Sequence, residues 1–340
     1  MIKESVKKLN PYKANQVDCL IKLDANEGVN YLFDGPLDFS DEPFNLYPDS
    51  DSTRLRKEIT KYLDVELDQV MMGSGSSEMI ELIIKTYLEP GEIVLGFEPS
   101  FTMFQVYTIM HGGDYQTIPA EDDFSFSIDR LIAKMNAVKP KLVILCSPNN
   151  PTGYEFPQKD LIRVLESTEA LVLIDEAYSE FSDQVSMAKS VDTYRNLFVT
   201  RTFSKAFGLA GARLGYLMAY KDRIEELNRV KTPYNVNRLS QSLGERALER
   251  IEDVKQYVQN VAKRREDLAL ALNSFGFIVY PSKGNFLWVK PPFDNLYQRL
   301  LSEGILIRKF SGKYSDYYRI TVGLESENQA LITALKGMVK

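Results

Sequence analysis

Histidine is all but missing: the 340 residues contain one, His111, in "MHGGDY". A histidine-rich metal centre is therefore excluded, and a serine triad would have to be built on a histidine beside two glycines. Cysteine is nearly as scarce. Cys19 and Cys146 are too few and too far apart for a disulfide framework or a zinc site, and they read as buried, inert thiols in a reducing compartment. No apolar run approaches the length that crosses a bilayer, and the opening "MIKESVKKLNPY" has no hydrophobic segment of the signal-peptide kind, so a cytoplasmic protein is expected. Basic charge is in deficit as well. With 41 Lys+Arg against 47 Asp+Glu, a net charge of -6 and no basic stripe interleaved with aromatics, neither nucleic acid nor a membrane is an expected partner. Chemistry in such a chain must use lysine, carboxylates, tyrosine or a borrowed cofactor.

What is present is a soluble composition, 44% hydrophobic and 26% charged, long enough for two domains. Five short apolar runs end abruptly in polar or glycine-rich residues: "QVMMGSGSSE", "GEIVLGFEPS", "KLVILCSPNNPTG", "ALVLIDEAY" and "NLFVTRTFSK". They lack strict alternation and helix-like stretches follow them, as expected of strands buried on both faces of a mostly parallel sheet. Residues 45–230 thus read as an α/β domain. The unusual polar residues all fall at the carboxyl ends of the strands, the edge where open α/β sheets bind ligands. After "KTPYNVNRLSQ", Leu239, Leu243, Leu248, Ile251, Val254 and Val258 recur at helical spacing, which predicts one long helix over 238–273. Beyond it "FIVYPSKGNFLWVK", "GILIRKF" and "YYRITVG" predict strands of a smaller α+β domain, residues 231–340, against which residues 1–44 pack.

Four stretches carry chemistry. In "GSGSSEMIELIIKTYL" glycines end a strand, Ser76 or Ser77 can cap, and the start of the following helix offers N–H groups and a positive dipole to a phosphate. It is neither a dinucleotide fingerprint nor a P-loop, since Glu78 stands where the former needs glycine and no Gly-Lys-Ser/Thr follows. "SPNNPTG" leaves Asn149 and Asn150 at a strand end with amides able to donate to a ligand oxygen. In "LVLIDEAY", Asp175 follows an apolar strand directly and needs a cation or donor to offset lost hydration, while Tyr178 reaches the same region. "FSKAFGLAGARLGY" sets Lys205 among small residues with Arg213 eight positions on, so burial and a neighbouring cation favour a neutral, nucleophilic amine.

These sites complete one another. Pyridoxal phosphate needs a lysine for its aldehyde, a carboxylate for its ring nitrogen, donors for its phenolic oxygen, a phosphate cup and a stacking aromatic. Lys205, Asp175, Asn150 with Tyr178, the group Ser76, Ser77, Thr202, Ser204 and Arg213, and Phe101 fill those roles in turn.

On these motifs the chain resembles, over nearly its whole length, the fold type I pyridoxal phosphate enzymes and within them the class II aminotransferases. The resemblance implies a large domain with a mostly parallel seven-stranded sheet, a small domain that closes over substrate, and a homodimer in which Tyr47 of "NLYPDSDSTRLR" reaches the neighbouring cofactor phosphate. Finer features, "LNPY", "IKLDANEGVN", "PYNVN" and "ILIRKF" before "RITVG", are similar to the histidinol-phosphate aminotransferases. That similarity implies a substrate pocket of Tyr12, Asn26, Arg308 and Arg319, alternately accepting histidinol phosphate and glutamate or 2-oxoglutarate. Asp24 stands where that family has Asn, and Ser77 where it commonly has Asp; the first alters the pocket edge, the second the helix cap. Threonine-phosphate decarboxylase and aromatic amino acid aminotransferase share fold and cofactor and are the nearest rival readings. A non-catalytic regulator would need a fused DNA-binding module, for which the chain has neither length nor basic charge.

Overall fold

The computed structural model describes residues 2–7, 9, 17–33 and 35–338. In chain order the strands are β1 Ile21–Leu23, β2 Val70–Gly73, β3 Ile93–Glu98, β4 Asp114–Pro119, β5 Leu142–Cys146, β6 Leu171–Asp175, β7 Leu197–Thr202, β8 Gly215–Ala219, β9 Ile278–Tyr280, β10 Phe286–Lys290, β11 Ile305–Lys309 and β12 Tyr318–Thr321. Seven of them form one sheet in the order β2-β8-β7-β6-β5-β3-β4, in which β8 alone runs against the rest.

The central strands are buried along their whole length, so both faces must be apolar. Val143, Leu145, Val172, Ile174 and Val199 pack into one core, and Leu142, Ile144, Leu171, Leu173 and Phe198 into another on the opposite face. Five of the seven strands are the apolar runs of the sequence. The other two escape that pattern for physical reasons: β4 is an edge strand of mixed polarity, and β8 sits antiparallel between β2 and β7.

From β3 the chain moves outward to β4 and then returns to the other side of β3 as β5. That reversal of winding is where an open α/β sheet leaves a crevice at its carboxyl edge. The loops after β3 and β5 meet there. Asn149 locks them together, donating from Nδ2 to the Pro99 carbonyl (3.1 Å) and to Thr152 Oγ1 (2.9 Å) while accepting from Ser100 Oγ (3.0 Å). Its amide is thus consumed within the protein, so Asn149 has no amide group left for the ligand contact expected of both asparagines.

A second sheet, β1-β11-β12-β10-β9, draws its first strand from the N-terminal segment, with β1 parallel to β11. The helix expected over 238–273 is two helices, Arg238–Glu249 and Ile251–Ser274, broken at Arg250. The halves bury different surfaces. Gly244 of the first lies against Leu55 and Leu214, whereas the second packs on the turn Ser179–Phe181, where Tyr257 meets Phe181 and stacks on Tyr31, and on the small sheet and the helix Glu325–Met338. Arg250 caps the break by donating to the Leu32 carbonyl and to Asp253. Leu239, expected on the buried stripe, is exposed because Ser240, Gln241 and Gly244 form the packed face. Of the two cysteines Cys146 is buried and Cys19 is not fully so. His111 ends the helix Met103–Met110 beside Glu81, 3.5 Å away. Among the described residues no helix is long and apolar enough to cross a membrane.

One buried ion pair ties the sheet to the turn after β6: Arg201 Nη2 meets Glu180 Oε1 at 2.7 Å, with both side chains about 5% exposed. Removing one partner strands the other without water or counter-charge. Arg201→Met should therefore lower folding stability by about 3–5 kcal/mol, read from denaturant midpoints, and Glu180→Gln in the same chain should recover part of the loss.

Candidate active site

Cys146, Asp175 and Thr200 occupy one row across β5, β6 and β7. Register alone therefore sets a thiol and a hydroxyl on either side of the carboxylate. Asp175 Oδ1 accepts from Thr200 Oγ1 at 3.0 Å, and Cys146 Sγ lies 3.9 Å from Oδ2. Burial pushes the Asp175 carboxyl up to about 6, against the pull of the Thr200 hydroxyl and the Ala177 N–H. A carboxylate so placed is suited to hold a positively charged N–H.

Lys205 follows β7 and is half-buried. Its Nζ donates to the Ala25 carbonyl at 2.9 Å and stands 5.8 Å from the centre of the Tyr178 ring. Burial is the main reason its amine is pulled down to about 7; Arg319 is the next cause, and Arg213 and Lys22 lower it further while Glu27 opposes them. The sequence supplied Arg213 as the neighbouring cation, but the larger effect comes from Arg319, which is 114 positions away in the chain and so invisible to local reading. The segment 24–29 reaches the lysine because Gly28 and Gly208 interlock. A Cβ on Gly28 would lie 2.3 Å from the Lys205 carbonyl oxygen, and one on Gly208 would lie 2.5 Å from the Val29 carbonyl oxygen.

The turn after β2 makes a cradle. Gly75 is the N-cap of the helix Ser76–Tyr87 at φ 79°, without a side-chain cap, so neither Ser76 nor Ser77 caps as expected. Both serines instead occupy the first helical turn, where N–H groups lack intrahelical acceptors. The Arg213 guanidinium lies over Gly75, its Nη2 2.7 Å from where a Cβ would be. Ser77 pairs with the Tyr107 hydroxyl. Thr202 and Ser204, both buried, bond each other through their hydroxyls at 3.0 Å beside this turn's neighbour strand β8, where Thr202 also meets the Leu214 carbonyl. Glycine, helix start and guanidinium together fit a dianionic phosphate.

Opposite stands the small sheet. Arg319 on β12 donates from Nη1 to Asn150 Oδ1 (2.5 Å) and from Nη2 to the Asp24 carbonyl (2.7 Å), with its guanidinium 5.6 Å from the Phe286 ring centre. Holding Asn150 by its oxygen turns the amide nitrogen into the group left to donate. Arg308 on β11 is the register partner of Arg319. Like charges directly opposite each other across an antiparallel pair destabilise it, so this arrangement favours an anion between them. Asn26, at φ 53° and fully buried, donates from Nδ2 to the Tyr178 hydroxyl (3.1 Å) and from its backbone N–H to Thr321 Oγ1 (3.0 Å). Burial pushes the Tyr178 phenol up to about 12, with Arg319 and Asn26 pulling the other way. Phe101 stands at the crevice, edge-on to Phe104 at 5.5 Å.

One expected residue lies apart. Tyr47 is 76% exposed and stacks on Tyr234 at 4.4 Å, outside this chain's own pocket. Tyr12 falls outside the described residues. The Asp24 side chain, the departure noted at the pocket edge, turns to Lys22 (2.9 Å). Thr200, Asn285 and Thr321 are site supports that the sequence did not single out. For Thr200 a signal existed, since strand alignment of "LVLIDEAY" with "NLFVTRTFSK" sets it beside Asp175.

Among known proteins the chain matches the model for aminotransferase class I and II over residues 22–335. It is 36% identical to the histidinol-phosphate aminotransferase of Ruminiclostridium cellulolyticum, covering 98% of this chain and 97% of that protein. It is 35% identical to that of Pyrococcus furiosus, covering 99% and 97%. The crystal structure of the Clostridium acetobutylicum enzyme of that name superposes with a TM-score of 0.86 at 26% identity, covering 94% of this chain and 99% of that one. The Sinorhizobium meliloti enzyme, solved in complex with pyridoxal-5'-phosphate, shares the fold at TM-score 0.91 and 23% identity, covering 99% and 97%.

An amine depressed to near neutrality reacts with aldehydes at lower pH than an ordinary lysine. Trapping of an added pyridoxal aldehyde by Lys205, fixed by borohydride and located by mass, should rise with pH around a midpoint of about 7. Arg319→Gln should move that midpoint upward, and Lys205→Met should abolish labelling at this position. A midpoint near 10.5, the ordinary lysine value, would contradict the electrostatic account.

Proposed function

From the premise that the chain belongs to the class I and II aminotransferases, we propose that it transfers the amino group of L-histidinol phosphate to 2-oxoglutarate, giving imidazole acetol phosphate and glutamate. The observation that carries this reading is the desolvated Lys205 amine, set at the same sheet edge as Asp175 and within the field of Arg319. The names of the relatives support the substrate.

The residues fit pyridoxal 5'-phosphate: the Gly75 cradle, with Ser76, Ser77, Thr202, Ser204 and Arg213, for its phosphate, Asp175 for its ring nitrogen, Asn150 and Tyr178 for its phenolic oxygen, and Phe101 against its ring. When bound, that group supplies a carbonyl conjugated to a pyridinium, which takes up the amino group and withdraws electrons from the carbon bearing it. Asp175 keeps the ring nitrogen charged. Lys205, in good part uncharged near neutrality, would remove the proton from the donor's α-carbon as general base and, as general acid, deliver it to the carbon that had been the cofactor's carbonyl. Arg308 and Arg319, with Asn26 and Tyr12, hold the anionic end of either substrate, phosphate in one half reaction and carboxylate in the other.

The same reading divides the chain into a large domain, 45–230, and a small one made of 1–44 and 231–340. The parallel pairing of β1 with β11 supports joining the N-terminal segment to the small sheet. It also makes the protein a homodimer, with the exposed Tyr47 serving the neighbouring subunit's phosphate site.

With 2-oxoglutarate present, histidinol phosphate should yield glutamate without carbon dioxide. A hydrogen-bonded ionic contact is worth ~1.5–3 kcal/mol, so dephosphorylated histidinol should lose about one to two orders of magnitude in kcat/KM. Carbon dioxide release from threonine phosphate, or equal use of histidinol and its phosphate ester, would overturn the assignment.

A further inference from the structure

Phe124 sits at the tip of the turn 121–125, closed by its N–H to the Glu121 carbonyl (2.9 Å) and by the Glu121 N–H to the Ser125 carbonyl (2.9 Å). Its φ is 60°, in the left-handed region where a bulky side chain is an outlier and glycine or asparagine the ordinary occupant. The position is nonetheless filled by phenylalanine, and the ring is buried, 6% exposed. What receives it belongs to the other sheet. The ring meets Tyr280, Trp288 and Tyr317 edge-on, with centroids 4.7, 5.6 and 5.1 Å away and interplanar angles of 85°, 86° and 81°. Edge-on contact of this kind is the favourable orientation for aromatic pairs.

The wall it presses is continuous with the arginines. Trp288 is the register partner of Tyr280 on β9 and of Arg319 on β12, and Arg319 is the partner of Arg308 on β11. Register partners point to one face, so Tyr280, Trp288, Arg319 and Arg308 form a row across the small sheet. The disfavoured backbone at the turn and the aromatic contacts are thus two ends of one connection between the sheets.

We propose that Phe124 is a positioning residue. It props the small sheet from the large one and thereby sets how tightly Arg319 and Arg308 hold an anion. This rests on the reading of those arginines as the anion-binding pair.

Phe124→Gly separates the possibilities, because it relieves the backbone while deleting the ring. Trp288 is the sole tryptophan and reports the wall directly. In the cofactor-loaded variant its emission should shift to the red, while the Kd of inorganic phosphate by calorimetry and the KM for the phosphorylated amine both rise about tenfold, the worth of one or two aromatic contacts. Turnover at saturation should stay within about twofold, since no reacting group has moved, and the cofactor absorbance should be unchanged. Phe124→Leu should fall between. If emission and phosphate affinity match the unmodified protein and only thermal stability rises, the turn is merely a turn and the proposal fails. If unmodified protein binds phosphate no better than Arg308→Gln and Arg319→Gln proteins do, the anion-pair reading fails first and takes the proposal with it.

Discussion

Three consecutive residues, Asp24, Ala25 and Asn26, hold the molecule's two sheets in one relation. Asp24 and Asn26 are buried and Ala25 partly so, and a buried carbonyl without a donor is costly. The donors come from different places: Arg319 of the small sheet for Asp24, Lys205 of the large sheet's edge for Ala25, and Asn285 for Asn26. The Asn26 side chain then joins Tyr178 to Thr321 through its own amide. The segment can turn sharply enough to do this because asparagine tolerates the left-handed backbone that Asn26 adopts. Anything that shifts this tripeptide shifts the Arg319 guanidinium and the Lys205 amine together.

The electrostatics of the site follow from the same closure. Burial moves Asp175 and Lys205 toward neutrality from opposite directions, the first to about 6 and the second to about 7. For the lysine the unfolded chain binds more protons between about 7 and its ordinary 10.5, so its contribution to stability grows as pH rises through that window. For the aspartate the folded chain binds more protons between 3.8 and about 6, so its contribution falls as pH rises there. Both groups therefore oppose folding at neutral pH, and a ligand that pairs the carboxylate and uses the amine removes that opposition. Functional groups held against their preference in this way are characteristic of reactive sites.

How much of this was legible depended on sequence distance. Asp175, Asn150, Lys205 and the Gly75 turn each follow an apolar strand, so their shared edge could be read from the period of the chain. The helix break at Arg250 could not, because apolar spacing continues across it and only the change of packing partner bends the path. The separate fates of Asn149 and Asn150 were equally hidden: two identical residues at one strand end are divided by contacts with Ser100 and Arg319, distant in sequence. The opposed arginines, Arg308 and Arg319, were visible as residues, but their face-to-face register appears only when β11 pairs with β12.

The interlock of Gly28 with Gly208 restricts how the protein could be remodelled. Each glycine leaves room for the other segment's backbone, so a side chain at either would wedge the N-terminal arm away from the lysine's loop. Variation in the pocket is thereby channelled into side chains such as Asp24, which turns aside to Lys22, while the path of the main chain beneath them stays closed to change. An engineer seeking a new amine specificity would have to rewrite what projects from this arm and leave its course alone.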